Sequence, residues 1–354
     1  MKIVKTQDAV GLELCHDVVK IVPGVFKGTA FHRGHIVREE DVPELLKIGK
    51  ENLYVWEPSD NASVHEDDAA IFLIELTCGE LAHMAKKGPE QGKIEVRAKA
   101  AGVFRSNKEL LHRLNAIPEV AIAARHDFMP VREGDLLFGT RVIPLTVPKS
   151  VLEAAAAVVS DGGEAGDSGT DPAEPVFRIH PFMRKKVGIV TTGSEVYSGL
   201  IEDGMAPALR RVLSPFDTEE LGQTIVPDDP AETTKAILDF AEKGADLILV
   251  TGGMSVDPDD RTPLAIKNTG ADIAIYGTPV LPGSMYLYAT LGGATIVGVP
   301  GGVLYAKRSA LDLILPRVIA DIPMTYEDFV KLGDGGLCYS CETCIFPNCG
   351  FGAQ

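Results

Sequence analysis

The sequence predicts an α/β fold in which a domain built on a mainly parallel sheet follows smaller α+β modules. From Val187 onward, short apolar runs alternate with helical patterns, which is typical of βαβ units. Three of these runs lead into loops that contain glycine, and open parallel sheets bind ligands at the loops that follow their strands. The 354 residues suffice for two or three domains, and an apolar fraction of 45% supports packed cores.

Net charge and the distribution of apolar residues limit the classes of binding partner and the cellular compartment that we expect. The net charge of −16 argues against a nucleic-acid-binding protein, which needs a basic surface to displace counterions. The N-terminus carries no apolar segment of signal-peptide length, and no stretch approaches the ~18 apolar residues of a membrane span. We therefore expect a cytoplasmic protein that binds neither nucleic acid nor membrane.

Changes in composition divide the chain into five predicted parts. The clearest boundary is the stretch 160–175, which contains no large apolar residue and is typical of a solvated linker. The predicted parts are an N-terminal α+β module at 1–58, a middle α+β region at 59–159, an acidic Gly/Pro linker at 160–178, an α/β domain at 179–325 and a four-cysteine tail at 326–354.

The first half of the chain predicts short mixed elements. Gly49 stands where a glycine ends a helix, and Gly88-Pro89 marks the end of a second, longer helical pattern. The predicted elements are a strand and helix within 34–49, a strand at 52–56, a helix at 66–88, a strand at 94–98, a helix at 108–114, and strands at 120–123 and 136–143.

The sequence of the second half predicts a regular alternation of strands and helices. Asp229 as N-cap, Pro230 at the first helical position and Glu232 at the third agree on one helix start, and Gly244 follows the end of that helix. The other predicted elements are strands at 187–191, 224–226 and 247–251, a helix at 205–213, a helix beginning at 262–263, a hairpin of strands 287–290 and 295–299, and a helix at 303–315.

Three glycine-bearing loops in this domain predict a ligand site. Glycine lets the backbone approach a ligand closely and present N–H donors, which suits a phosphate or a pterin. Because the carboxyl ends of parallel strands share one edge of a sheet, we expect these loops to converge. They comprise Thr192, Gly193, Ser194 and Glu195; Gly252, Gly253, Met254 and Ser255; and Pro300, Gly301 and Gly302.

Acids at the same edge predict a divalent cation. Asp229 is explained as a helix cap, but Asp228 is not needed for capping. Asp257, Asp259 and Asp260 share the loop after Ser255. Clustered loop acids are commonly solvated or capping residues; the alternative is that Asp228 and Asp260 meet and hold Mg²⁺, with Glu195 as a further acid, since Mg²⁺ takes one or two carboxylates plus substrate phosphate.

Four of the six cysteines crowd the last seventeen residues with the spacing C-x₂-C-x₂-C-x₄-C. Thiols this close favour metal or cluster binding over disulfides in a reducing compartment. Zinc takes four thiolates, whereas the C-x₂-C-x₂-C run is similar to ferredoxin spacing, and we favour an iron–sulfur cluster slightly. The remaining alternative is a flexible tail with adventitious metal. The predicted ligands are Cys338, Cys341, Cys344 and Cys349.

The loops resemble the molybdopterin-binding domain shared by molybdopterin molybdotransferase (the MoeA type) and molybdopterin adenylyltransferase (the Mog type). The resemblance covers about 187–319, with looser similarity of 1–58 to the MoeA type. The segments that carry it are Val187–Glu195, which resembles a strand ending in Thr-Gly-Asp-Glu; Ile225–Pro230, which resembles Val-Pro-Asp-Asp-Pro; Thr251–Val256, which resembles Ser-Gly-Gly-Val-Ser-Val; Asp260–Pro263, which resembles the Mog-type Asp-Val-Thr-Pro; and Pro282-Gly283 with Pro300-Gly301.

The resemblance implies a three-layer α/β domain and a role in molybdenum cofactor biosynthesis. The implied ligand is molybdopterin or its adenylylated form, with Mg²⁺ and a homodimer as further expectations. The implied catalytic residues are Asp228, Asp260 and Glu195. The implied ligand-binding residues are Thr192, Gly193, Ser194, Gly252, Gly253, Ser255, Asp257, Pro282, Gly283, Pro300, Gly301 and Gly302.

Several positions depart from the MoeA pattern. Ser194 replaces an Asp, Gly302 replaces an Asn, and Leu281 and Ser284 replace two lysines that would pair with phosphate or molybdate. Compensating cations could come from Arg261, Lys307, Arg308 or 184–186.

Three functions therefore stay open. The first is an enzyme that transfers molybdate to adenylylated molybdopterin, favoured by the retained acids. The second is a non-catalytic molybdopterin carrier that hands cofactor to a recipient molybdoenzyme, favoured by the missing lysines. The third, a sugar-phosphate enzyme on a similar sheet, has the least support.

Overall fold

The computed structural model describes residues 1–22, 24–56, 62–161, 175–258 and 260–353. Most of the predicted linker at 160–178 therefore lies outside the described residues, as does Asp259. The strands are β1 (Lys2–Lys5), β2 (Val18–Val22), β3 (Phe26–Phe31), β4 (Asn52–Val55), β5 (Ser63–His65), β6 (Met84–Glu90), β7 (Lys93–Ala98), β8 (Gly102–Ser106), β9 (Val120–Ala124), β10 (Met129–Val131), β11 (Leu136–Val142), β12 (Thr146–Pro148), β13 (Phe177–Pro181), β14 (Lys185–Thr192), β15 (Thr218–Val226), β16 (Leu247–Thr251), β17 (Asp272–Tyr276), β18 (Leu287–Leu291) and β19 (Ala294–Val299).

The described residues also include helices. They are α1 (Val42–Lys47), α2 (Glu66–Cys78), α3 (Lys108–Asn115), α4 (Lys149–Ser160), α5 (Ser194–Tyr197), α6 (Met205–Leu213), α7 (Pro230–Glu242), α8 (Thr262–Asn268), α9 (Ala310–Ile319) and α10 (Tyr326–Lys331), with short 3₁₀ turns at Thr6–Asp8 and Gly301–Leu304. Within the described ranges, no helix is long and apolar enough to cross a membrane.

The six-stranded sheet of the C-terminal half has the order β15-β14-β16-β19-β18-β17. The strands β15, β14, β16 and β19 run parallel, and β18 joins them antiparallel to β19. The mainly parallel sheet and the hairpin of β18 with β19 that the sequence predicts are therefore confirmed. The carboxyl ends of the parallel strands meet at one edge, where ligands bind in such sheets.

Helices cover both faces of this sheet. Every residue of β16 is buried, as expected for a parallel strand packed on two sides. Leu247 and Leu249 pack into the core that contains α6 and α9, whereas Ile248 and Val250 pack into the core that contains α7. This alternation produces the three layers that the resemblance implies.

The start of helix α7 is fixed by hydrogen bonds within its own first turn, which is why the sequence alone predicts it. Asp229 accepts hydrogen bonds from the backbone N–H of Ala231 at 2.7 Å and of Glu232 at 3.1 Å, which satisfies two donors of the first turn. Phe240 on the same helix lies against Gly188 of β14, where an added Cβ would stand 2.5 Å from the Phe240 ring. The helix therefore packs more closely on the sheet than a larger residue at Gly188 would allow.

Smaller sheets make up the first half of the chain. β1 pairs with β4 and β2 with β3, while β6, β7, β11 and β9 form a four-stranded antiparallel sheet. The helices α2, α3 and α4 share one hydrophobic core with that sheet. A three-stranded sheet of β10, β8 and β13 then packs against the C-terminal end of α9 through Val103, Ala320 and Ile322.

Two sequence predictions of helix extent are wrong. The helix predicted at 66–88 ends at Cys78, because Gly79 turns the chain at φ 56° and Met84 begins β6, which pairs with β7. The helix predicted at 303–315 begins instead at Ala310, because Asp312 accepts a hydrogen bond from the N–H of Ser309 at 2.8 Å and so fixes the helix start there.

Candidate functional site

The loops after β16 and β19 enclose a cavity of about 510 Å³ at the carboxyl edge of the parallel sheet. This volume lies within the range of small-molecule sites. Two of the three predicted loops line it, the predicted loop at 192–195 does not, and further residues that the sequence did not indicate complete the wall. The lining residues are Met205, Gly252, Gly253, Met254, Ser255, Asp260, Gly283, Ser284, Met285, Val299, Pro300, Gly301, Gly302 and Leu304.

Two glycines shape the wall beside β16. Gly252 and Gly253 have φ values of 86° and 55°, in the left-handed region that favours glycine. A Cβ at Gly252 would collide with the carbonyl oxygen of Thr192, so the end of β14 lies directly behind this loop. The hydroxyl of Thr262 donates to the Gly252 carbonyl at 2.8 Å and fixes the turn from the other side.

Asp260 supplies the charge of this cavity. Among the described residues that line it, none is a lysine, arginine or histidine. One Asp260 oxygen accepts a hydrogen bond from the N–H of Asp257 at 3.2 Å. The cavity therefore presents a carboxylate, two serine hydroxyls and backbone groups, and a phosphorylated ligand would meet net negative charge.

Tyr276 braces the same loop and was missed by the sequence analysis. Its hydroxyl donates to the carbonyl of Met254 at 3.2 Å. Burial, with a smaller contribution from the Asp260 carboxylate, raises the pKa of Tyr276. The tyrosine therefore remains a protonated donor that holds the loop in place.

Three methionines give the cavity an apolar wall that the sequence did not reveal. Met205 opens α6, Met254 follows the glycine pair, and Met285 precedes β18. Gly298 leaves room for Met254, because a Cβ there would stand 2.6 Å from the methionine methyl carbon. Methionine is flexible and polarisable, so it adapts to a planar ring. These residues lie far apart in sequence, and no spacing pattern could have joined them.

Other predicted residues form a neighbouring group outside the cavity lining. Asp228 accepts a hydrogen bond from the N–H of Ser194 at 2.8 Å, and the Ser194 hydroxyl accepts one from the N–H of Asp228 at 3.3 Å. Glu195 is exposed on the short helix α5, which Gly193 precedes with φ 145°. Thr192 is buried behind Gly252, and Asp257 contacts Asp260 from outside the cavity lining.

The described residues contain no group of three or more His, Cys, Asp or Glu side chains placed to hold one metal ion. Asp228 contacts Ser194, whereas Asp260 faces the cavity. Mg²⁺ needs only one or two protein carboxylates when a substrate phosphate completes its shell. The donor set at Asp260 and Ser255 is compatible with such a shared ion.

The loop after β17 is braced by the C-terminal tail. The N–H of Leu281 donates to the Gly336 carbonyl at 2.9 Å, and the N–H of Cys338 donates to the Leu281 carbonyl at 2.8 Å. The N–H of Ala310 donates to the Pro282 carbonyl at 3.0 Å, so Pro282 supports the loop from outside the cavity lining. Gly283 is the predicted residue of this loop that lines the cavity.

Three of the predicted compensating cations, Lys307, Arg184 and Lys185, contact other groups. Lys307 donates to the carbonyl oxygens of Cys341 at 3.0 Å and Glu342 at 2.6 Å. Arg184 pairs with Glu219, and Lys185 pairs with Asp321. The nearest basic neighbour of the cavity in sequence is Arg261, which follows Asp260 and is exposed.

A second candidate site lies in the tail. All four tail cysteines line one small cavity together with Lys307 and Arg308. The guanidinium Nε of Arg308 donates to the sulfur of Cys344 at 3.5 Å. This hydrogen bond is the main reason why the pKa of the Cys344 thiol is lowered.

Comparisons with known proteins place the sheet-edge cavity in a recognised domain. Residues 188–320 match a family model described as a probable molybdopterin binding domain, which confirms the resemblance for this part of the chain. Residues 3–57 match a model described as a domain of unknown function.

Individual relatives match over part of their length. The molybdopterin molybdenumtransferase of Haemophilus influenzae is 27% identical over 150 residues, which are 40% of this chain and 37% of that protein. A CinA-like protein of Mycolicibacterium gilvum is 35% identical over 80 residues, covering 23% of this chain and 19% of that protein. The solved structure of the molybdopterin biosynthesis enzyme MoaB of Thermus thermophilus is 25% identical, covers 40% of this chain and 99% of its own, and aligns with a TM-score of 0.33.

Proposed function

We propose that the α/β domain binds molybdopterin, or its adenylylated form, in the sheet-edge cavity and serves assembly of the molybdenum cofactor. The observation that carries the proposal is the coincidence of a ligand-sized cavity with the region that matches the molybdopterin-binding model. The domain description and the molybdenumtransferase relatives support the role in cofactor biosynthesis.

The cavity suits the two ends of such a ligand in different ways. The methionine wall offers dispersion contacts to a flat heterocycle. The glycine loops let a phosphate approach the backbone closely. Because Asp260 repels phosphate and no cation lines the described wall, we propose that Asp260 and Ser255 would hold a Mg²⁺ ion, which would supply the positive charge that a ligand phosphate needs.

Binding and transfer to a recipient molybdoenzyme is the form of the function that the geometry supports best. Molybdate and phosphate are both anions. The loop 281–284 has Leu281 and Ser284 at its two ends and therefore carries no cationic side chain at either position. A site that binds the pterin but lacks cations for a second anion is suited to a carrier. A homodimer and a cytoplasmic location remain part of this proposal.

Molybdate transfer to adenylylated molybdopterin is the second candidate. The observation that favours it is Asp260, a carboxylate placed inside the cavity where it can hold a catalytic Mg²⁺. Asp228 and Glu195 would then act from the neighbouring group on a ligand long enough to reach them.

One incubation separates the two candidates. The full chain is mixed with adenylylated molybdopterin, molybdate and Mg²⁺, and both retained pterin and released AMP are measured. Retention without AMP release supports the carrier, whereas AMP release that disappears in Asp260→Asn supports the transferase. Asp239→Asn, an exposed carboxylate on α7, is the control and should behave as the unaltered protein. Absence of pterin retention in every sample would contradict both candidates.

A further inference from the structure

The C-terminal segment is folded against the domain, which removes the alternative of a free tail. Leu337 forms a parallel bridge with Leu281, and the N–H of Gly352 donates to the Gly335 carbonyl at 2.9 Å. Phe351 is 4% exposed and belongs to the same core as α9. The chain therefore returns to the domain on both sides of its cysteines and holds them in one place.

Four free thiols face one common space in this segment. Cys338, Cys341, Cys344 and Cys349 line a single narrow cavity, and none of them forms a disulfide. The other walls are largely apolar or aromatic, from Tyr339, Ile345, Phe346 and Phe351. An apolar shell around thiolates limits solvent access, a property that sets the behaviour of bound metal centres.

Two cations stand beside the thiols and are held there. The guanidinium Nη1 of Arg308 bonds to Asp312 at 2.7 Å, its Cζ lies 4.9 Å from the centroid of the Phe346 ring, and its Nε donates to the Cys344 sulfur. Lys307 fixes the backbone at Cys341 and Glu342. Positive charge and directed N–H groups stabilise thiolates and the anionic centre that they form with metal.

A single ion and a cluster place different demands on four thiolates. A tetrahedral zinc with bonds of about 2.3 Å draws its four sulfurs to within roughly 4 Å of one another. In the described residues, no three of the cysteines are grouped to hold one ion, although all four border the same cavity. Each iron of a cluster takes its own thiolate, so the ligands surround the centre at wider spacing.

Sequence spacing points the same way. Structural zinc sites commonly present two C-x₂-C pairs separated by a longer segment. Here the four cysteines fall within twelve residues, and the first three form a C-x₂-C-x₂-C run. Such a run wraps one compact centre with consecutive loops, as in iron–sulfur proteins.

We propose that Cys338, Cys341, Cys344 and Cys349 bind an iron–sulfur cluster. The cluster site lies next to the loops that line the sheet-edge cavity. The backbone N–H of Cys338 bonds to Leu281, which is two residues before the cavity residue Gly283. Lys307, which borders the cysteines, is three residues after the cavity residue Leu304. This site stands on its own contacts and does not depend on what the sheet-edge cavity binds.

The test uses the full chain purified without oxygen and then incubated with ferrous iron and sulfide. We expect a broad visible absorption band, iron and acid-labile sulfide bound in equal amounts, and bleaching of the band by dithionite. Incubation with zinc alone, in a parallel sample, should leave the thiols more reactive to a thiol reagent than the iron–sulfide sample does.

Variants assign the ligands. Cys341 and Cys344 are exposed, so Cys341→Ser and Cys344→Ser should fold as the unaltered chain does and lose most of the bound iron. Cys78→Ala, a change at a buried cysteine of α2, is the control and should keep the full band. The proposal is overturned if zinc protects all four thiols while iron and sulfide produce no band, or if both serine variants retain the band.

Discussion

Gly252 shows how a single residue shapes the sheet-edge cavity. Its φ of 86° and its contact with the end of β14 leave no room for a side chain. Gly252→Ala should lower the free energy of unfolding by about 2 kcal/mol, from left-handed strain and the collision with Thr192. Urea unfolding measures the loss.

The control for this change is Gly244→Ala. Gly244 has φ 77°, but nothing lies within 4 Å of an added Cβ. It should cost about 1 kcal/mol from strain alone. Equal losses in the two variants would show that close packing at Gly252 is not the cause.

Glu66, at the start of α2, predicts a pH effect on stability. Burial, followed by the neighbouring Asp67 carboxylate, raises the pKa of Glu66 from 4.5 to about 7. The folded state therefore binds a proton more tightly than the unfolded state, and the resulting stability is fully present below pH 4.5 and is lost as the pH rises through 7.

Replacing this acid tests the sign of the effect. Glu66→Gln should unfold at a higher urea concentration than the unaltered chain at pH 8 and show a much smaller difference at pH 4. Glu75→Gln changes an exposed acid on the same helix and should show no such pH-dependent difference. A Glu66→Gln variant that is less stable at pH 8 would contradict the assignment.

Helix α7 illustrates what can be predicted at the scale of one element. Its start was predicted from Asp229, Pro230 and Glu232 because a cap is a local interaction within one turn. Asp229→Ala should lower the free energy of unfolding by about 1 kcal/mol because two backbone donors lose their acceptor. Asp239→Ala, an exposed site on the same helix, should change it little, and an equal loss there would argue against capping.

Other elements form through contacts between residues that are distant in sequence, and a local sequence pattern does not reveal such contacts. The sequence predicts helix over most of β6, because the strand forms by pairing with β7 and shows no alternation of apolar and polar residues. The sheet-edge loops were predicted because glycine after a buried strand is a local signal. Tyr276 and the three methionines were missed because they reach the cavity from separate elements.

At the scale of the whole molecule, the middle region meets the C-terminal domain around Phe128. The guanidinium carbons of Arg105 and Arg317 lie 3.8 Å and 3.6 Å from the centroid of this ring. Arg105 belongs to β8, whereas Arg317 is 2% exposed on α9. The ring therefore joins the two halves of the chain, through cation–π contacts worth about 2 kcal/mol when desolvated.

Phe128→Leu should weaken this junction. We expect calorimetry to show one unfolding transition in the unaltered chain and a broadened or divided transition in the variant. Phe26→Leu, at an aromatic residue that is 48% exposed, should leave the transition unchanged. A single sharp transition in Phe128→Leu at the unaltered temperature would show that the halves are coupled elsewhere.

The central claim is that the sheet-edge cavity binds molybdopterin with Mg²⁺ held at Asp260. Isothermal titration calorimetry of the full chain with molybdopterin, performed once in the presence of Mg²⁺ and once in the presence of EDTA, tests it most directly. The account predicts saturable binding of one ligand per chain that Mg²⁺ strengthens, and loss of that Mg²⁺ effect in Asp260→Asn. Absence of binding under both conditions, or an unchanged Mg²⁺ effect in the variant, would contradict it.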